Sequence, residues 1–187
     1  FFYKKIKHNE VQNNSFQVGY YMSLPILYSL RQCPYAMRAR MGIFLSRQSV
    51  LLRDIVMTNI PDDMMLASAK GEVPVLVLSD SSVIDESLDI MIWALNKNDP
   101  GNLLLSNTAN AFEEMRDFIY RYDDEFVDAL KKYKAASRYH DAAEINFREQ
   151  CEVFIGELEL RLTKHEYLMG DATSLADYAI LPFIRQF

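Results

Sequence analysis

Leu30-Arg31-Gln32-Cys33-Pro34-Tyr35-Ala36 joins a short apolar run, Ile26 to Leu30, to a segment with helical spacing that begins at the proline. Proline at the first helical turn loses no hydrogen bond, and its fixed φ starts the helix directly after the cysteine. The Cys33 sulfur then faces free backbone N–H groups at a terminus that behaves like about half a positive charge. Cysteines so placed have pKa values lowered from about 8.5 into the range of about 3.5 to 7.5, and the thiolate is the attacking form. Cys33 is therefore a candidate nucleophile; the competing reading is a small buried residue that happens to precede a proline. A dithiol redox motif needs a second cysteine three positions on, where this chain has Ala36. The only other cysteine, Cys151, falls on the apolar stripe Phe147, Cys151, Phe154, Leu158, Leu162 and reads as core. Exchange at Cys33 must then be completed by an external thiol, which points to a small molecule such as glutathione.

Working outward, residues 25–95 alternate between strand-like and helix-like stretches, the pattern of an α/β unit. Ile26 to Leu30 reads as a strand, Pro34 to Arg47 as a helix with Met37, Met41, Phe44 and Leu45 on its apolar face, and Val50 to Ile55 as a second strand. Pro61 to Ala67 is a short helix. Pro74 to Leu78 and Val83-Ile84 form a hairpin across the turn Asp80-Ser81-Ser82. Ser87 to Asn96 is a helix with Leu88, Met91, Ile92 and Leu95 at helical spacing. Lys97-Asn98-Asp99-Pro100-Gly101-Asn102 concentrates turn formers and breaks both periodicities, marking a boundary. Beyond it Phe112, Met115, Ile119, Tyr122, Phe126 and Leu130 stripe one long helix, and Phe147 through Leu162 a second. Ser174-Leu175-Ala176-Asp177 opens a third with spacing close to that of a capping box. The expected organisation is an arm at 1–21, an α/β domain at 22–97, a linker at 98–106 and an all-helical domain at 107–187. The arm is read as non-native or disordered. The helical domain is expected to be incomplete, since no stop signal precedes Phe187.

The chain has 187 residues, half of them hydrophobic, with a formal net charge of −6. That charge, with no lysine or arginine run, argues against a nucleic-acid partner. No stretch approaches the roughly 20 apolar residues needed to span a bilayer. Residues 1–21 carry early lysines and then a polar, asparagine-rich stretch where an export signal needs apolar residues. Two cysteines without paired spacing fit a reducing cytosol, so a cytoplasmic location is expected. His8, His140 and His165 lack ligand-spaced companions, so no metal is expected. Asp123-Asp124-Glu125 reads as a solvated helix face.

Strand, Cys-Pro-Tyr, helix, strand, then Glu72-Val73-Pro74-Val75 before a hairpin, Asp85-Glu86-Ser87 opening a helix, and an all-helical second half together resemble the glutathione S-transferase superfamily. The likeness is closest to its cysteine-type, omega-like branch. The resemblance implies a thioredoxin-like α/β N-terminal domain followed by an all-α domain, glutathione as co-substrate, and a homodimer. It implies that Cys33 meets the glutathione sulfur and that Tyr35 stands where an aromatic residue is common. Val73 would offer its backbone to the cysteinyl part of glutathione, with Pro74 as the family's cis proline; only X–Pro bonds adopt cis at a cost as low as about 0.5 to 1 kcal/mol. Glu86 and Ser87 would hold the γ-glutamyl end, and their own chemistry fits: a hydroxyl at a helix start suits a carboxylate, a carboxylate side chain an ammonium. The plain alternative is a helix cap and a first-turn acid. Ile60 occupies the position where omega-like members often carry a lysine near the glycine end, and Lys70 is the nearby candidate to replace it.

The resemblance implies glutathione-dependent thiol transfer acting on a small disulfide or other oxidised substrate. Two rivals stand beside it. One is a conventional transferase that conjugates glutathione to electrophiles, for which Tyr28 and Ser29 are the candidate hydroxyls. The other is a non-catalytic binding or stress-response protein that keeps the fold for partner contacts.

Overall fold

The computed structural model describes residues 24–187; the arm expected at 1–21 lies outside them. Strand β1 (Ile26–Ser29) is followed by helix α1 (Pro34–Leu45), β2 (Leu51–Asp54), the short α2 (Asp62–Ala67), β3 (Val75–Val77), β4 (Val83–Ile84) and α3 (Ser87–Lys97). The four strands form one sheet in the order β2-β1-β3-β4. β1 runs parallel to β2, as a helical crossover allows. β3 is antiparallel to both β1 and β4. This is a thioredoxin-like α/β domain, and it is followed by an all-helical one, as the fold reading expects.

Side chains of β1 alternate between two covered faces, so its run is apolar up to Ser29, whose buried hydroxyl accepts from Arg40. Leu27 packs with Ala39 and Ile43 of α1 and Ile90 and Ala94 of α3. Tyr28 packs on the other face with Ile55, Met64 of α2 and Val75. The hairpin turns at Ser81, which takes φ 69 while Asp80 accepts from the Ser82 N–H, an Asx-type turn.

Helix α1 differs from its sequence reading. Its buried face is Ala36, Arg38, Ala39, Gly42 and Ile43, while Phe44 is 81% exposed. Small residues are needed there because α1 lies close on α3: a Cβ on Gly42 would stand 2.6 Å from the Met91 Cα. Met37, Met41, Phe44 and Leu45 instead line an apolar groove toward the last helix. The helix also stops at Leu45, short of Arg47, whose φ of 56 belongs to the turn beyond it.

The second half comprises α4 (Ala111–Tyr139), α5 (Glu144–Leu162) and α6 (Leu175–Ile184). His140 ends α4 in the left-handed conformation common after helices. Ser174 caps α6: its N–H and hydroxyl both donate to one Asp177 oxygen at 2.8 and 2.7 Å, and the other oxygen accepts from the Leu168 N–H at 2.9 Å. Cys151 and Leu158 of α5 are buried as its stripe predicts, but Leu162 at its end is exposed. The largest core cluster runs from Leu88, Met91 and Leu95 of α3 through Met115, Ile119, Tyr122 and Phe126 of α4 to Leu175, Ala179 and Phe183 of α6. The α/β part and the helices thus share one interior. Among the described residues no helix is long and apolar enough to cross a membrane.

Candidate functional site

Cys33 is the N-cap of α1, in extended conformation, with Pro34 at the first helical position. Its carbonyl accepts the first helical bond from the Met37 N–H at 2.9 Å, and its own N–H closes a turn to the Leu30 carbonyl at 3.2 Å. The side chain is left half-buried at the helix start, and its thiol lies 3.8 Å from the Val73 carbonyl. Arg40 braces the segment before it, donating to the Ser29 hydroxyl, the Leu30 carbonyl at 3.1 Å and the Arg31 carbonyl at 2.9 Å. Burial pulls the Arg40 pKa down, while Asp54 and Cys33 push it up.

A cavity of about 500 Å3 opens beside the thiol. Cys33, Tyr35, Val73, Pro74, Glu86 and Ser87 all line it, together with Leu30, Met57, Glu72, Asp85 and Lys131. The Val73–Pro74 peptide bond is cis. Val73 lies just before β3, whose pairing with β1 begins at Val75, so its backbone stands outside the ladder. Ser87 is the first residue of α3 and Glu86 is its cap, one position earlier than the sequence reading places the cap. The free N–H groups of that helix start face the site beside the Ser87 hydroxyl.

Ser87 is 5% exposed and is approached from below by Arg38, whose Nη1 lies 3.5 Å from its Oγ. Arg38 is fully buried. It forks onto both Asp123 oxygens at 2.6 Å, donates from Nε to the Ala179 carbonyl at 2.8 Å, and stacks 4.4 Å from the Phe183 ring centre. Every donor group of this buried cation therefore has a partner, as burial of charge requires. Asp123 is not part of a solvated face, as the acidic run suggests in sequence; it is the counter-ion of Arg38.

Two expected residues stand apart. Ile60 packs against the cluster of Tyr28, Ile55, Met64 and Val75 and does not line the cavity. Lys70 sits at the rim, bonded to Glu86 at 2.6 Å and Asp85 at 3.1 Å. The hydrogen bonds it donates to Glu86 and Asp85 push its pKa up. Asp85, bonded first by the Ser68 hydroxyl and then by Lys70, is held below the usual carboxylate range. Tyr28 and Ser29 are buried and do not line the cavity. Cys151 is fully buried in the helical core, and burial pushes its thiol pKa up. Met57 and Lys131 are lining residues that sequence reading misses; Lys131, reaching in from α4, escapes because helical periodicity does not tell which polar position of a long helix faces a neighbouring domain. Among the described residues no group of three His, Cys, Asp or Glu could hold a metal ion.

This arrangement offers a thiol at one helix start and free N–H groups beside a hydroxyl at the other, with backbone outside the strand ladder between them. Residues 27–102 match the family model of the glutathione S-transferase N-terminal domain. Solved structures with the same fold include a glutathione transferase family member from Pseudomonas fluorescens with two glutathione molecules bound. It is 17% identical, with a TM-score of 0.76, covering 88% of this chain and 77% of that one. A glutathione S-transferase from the Antarctic clam Laternula elliptica is 13% identical, with a TM-score of 0.75 over 87% of this chain and 77% of that one. A glutathione transferase homologue from Sulfitobacter, solved with bound glutathione, is 16% identical, with a TM-score of 0.72 over 87% and 82%. No curated protein matches the chain in sequence. The match is to the N-terminal domain alone, over residues 27–102, and the solved structures share the two-part architecture; at these identities they speak to fold alone.

Proposed function

We propose that the chain is a glutathione-dependent thiol transferase of the cysteine-type, omega-like branch, with Cys33 as its nucleophile. The observation that carries this reading is the position of the Cys33 thiol, at the N-cap of α1 and 3.8 Å from the Val73 carbonyl. Glutathione lying along Val73 would bring its sulfur to that thiol. Its γ-glutamyl carboxylate would meet the α3 start and the Ser87 hydroxyl, which accepts from Arg38 and so has its own proton to donate. Its ammonium would meet the carboxylates at Glu86 and Asp85, and Tyr35 would form the wall on the helical side.

The Cys33 thiolate attacks the glutathionyl sulfur of a mixed disulfide. The S–S bond breaks, the departing thiolate takes the electron pair, and Cys33 is left S-glutathionylated. A second glutathione thiolate attacks that new bond, giving glutathione disulfide and regenerating Cys33. The deep burial of Cys151 supports completion by an external thiol rather than by an internal one.

A second reading, a glutathione-fold binding protein without turnover, is favoured by one observation: Ile60 is packed into the core and Lys70 is engaged by two carboxylates. Neither is then free to meet the glycine carboxylate. The two readings separate in one assay, glutathione-dependent reduction of a small mixed disulfide by wild type and Cys33→Ser, run beside conjugation of an aromatic electrophile. Reduction by the wild type that is lost in Cys33→Ser supports thiol transfer. Conjugation that survives the substitution supports a conventional transferase, and no reaction of either kind supports the binding reading.

A further inference from the structure

Among the described residues, Lys131 is the one cation that lines the cavity; Glu72, Asp85 and Glu86 are its acids. The two walls differ in how their charges are used. On the α/β side Lys70 is bonded to both Asp85 and Glu86. On the helical side Lys131 has no carboxylate within ion-pair distance among the described residues, although its neighbour Lys132 pairs with Asp128 along α4. Its ammonium instead lies 5.5 Å from the centre of the Tyr35 ring, two residues beyond Cys33. An aromatic face holds a cation without neutralising it. The result is a positive charge, without an ion-pair partner among the described residues, on a cavity that Val73, Glu86 and Ser87 also line.

From this placement, and resting on the thiol-transfer reading, we infer that Lys131 selects the second substrate: the half of the mixed disulfide that is not glutathione carries an anionic group, such as a carboxylate, close to its sulfur. With glutathione along the Val73 wall, the other half must project from the shared S–S bond into the space between Cys33, Tyr35 and Lys131. An anion there meets the Lys131 ammonium, while a second cation there is repelled. The departing thiolate also leaves past that ammonium.

The test compares two mixed disulfides of glutathione that differ in one end group, one with 2-mercaptoethanol and one with thioglycolate, in wild type, Lys131→Gln and Lys131→Arg. The wild type is expected to favour the carboxylate by about fivefold in kcat/KM, the upper range for a solvent-accessible ion pair. That ratio falls toward one in Lys131→Gln and at high salt, and is kept in Lys131→Arg. A wild-type ratio of one, or a ratio unchanged in Lys131→Gln, overturns the inference while leaving thiol transfer standing. The unchanged ratio is also what a Lys131 bound to the glycine carboxylate of glutathione would give, since that end is common to both substrates. Turnover of neither disulfide overturns thiol transfer instead. The charge selection is then read without glutathione, as the rate of Cys33 alkylation by iodoacetate relative to iodoacetamide. A relative rate equal in wild type and Lys131→Gln overturns the inference on that measurement as well.

Discussion

Arg38 ties three helices together from a position fully out of solvent. Its guanidinium is shared among Asp123 of α4, the Ala179 carbonyl of α6 and the Ser87 hydroxyl at the start of α3. A buried cation is tolerated because its partners are fixed; with one removed, it carries the desolvation cost alone. Asp123→Ala is therefore expected to lower stability by about 3 kcal/mol, the lower end for a broken buried pair because Asp123 keeps some solvent contact. The midpoint of urea unfolding checks this, and a midpoint unchanged from wild type would show that the pair contributes little. Neither partner announces itself in sequence. Arg38 falls among apolar neighbours at a position a helical wheel assigns to no clear face, and Asp123 opens an acidic run that reads as solvated. Their pairing is a property of how α1 and α4 cross, which local spacing does not contain.

At the scale of elements, α1 is held by close packing rather than by bulk. Gly42 lets the helix lie on α3, and a Cβ there would stand 2.6 Å from the Met91 Cα and Cγ alike. Because one of those atoms is backbone, the clash cannot be relieved by a rotamer change. Gly42→Ala is expected to destabilise by about 3 kcal/mol, the upper end for overpacking, even though alanine is the better helix former. A raised melting temperature for that variant would contradict the account. Much at this scale is legible beforehand. The strand, Cys-Pro start, crossover, hairpin and helix follow from turn chemistry and from periods of 2 and 3.6; that Val73, Pro74, Glu86 and Ser87 belong with Cys33 is implied only by the family resemblance, and all five line one cavity in the structure. The core face of α1 is not legible, because large apolar side chains outweigh small ones in any periodicity argument. Met37, Met41 and Phe44 draw the eye to the groove beside α6, whereas the tight contact belongs to Ala39 and Gly42. Lys131 escapes for the same kind of reason: it is one of several lysines on α4, distinguished only by what stands opposite.

For the whole molecule, the largest core cluster crosses from α3 into the helical half. Two parts that share an interior and a buried ion pair lose both when either part opens, so unfolding is expected in one cooperative step. Fluorescence of Trp93, on α3 of the α/β part, and far-UV circular dichroism, dominated by α4 and α5, should give coincident urea transitions. Separate midpoints would mean that the halves are stable alone. The same shared interior fixes the cavity, since α1, α3 and α4 each contribute one wall to it. The central claim is that the thiol at the α1 start exchanges with glutathione, and its most direct test is peptide mass spectrometry after exposure to glutathione disulfide. The account predicts a single glutathionyl group on the peptide containing Cys33, removed again by reduced glutathione. An unmodified Cys33, or a modification found on Cys151 instead, would contradict it.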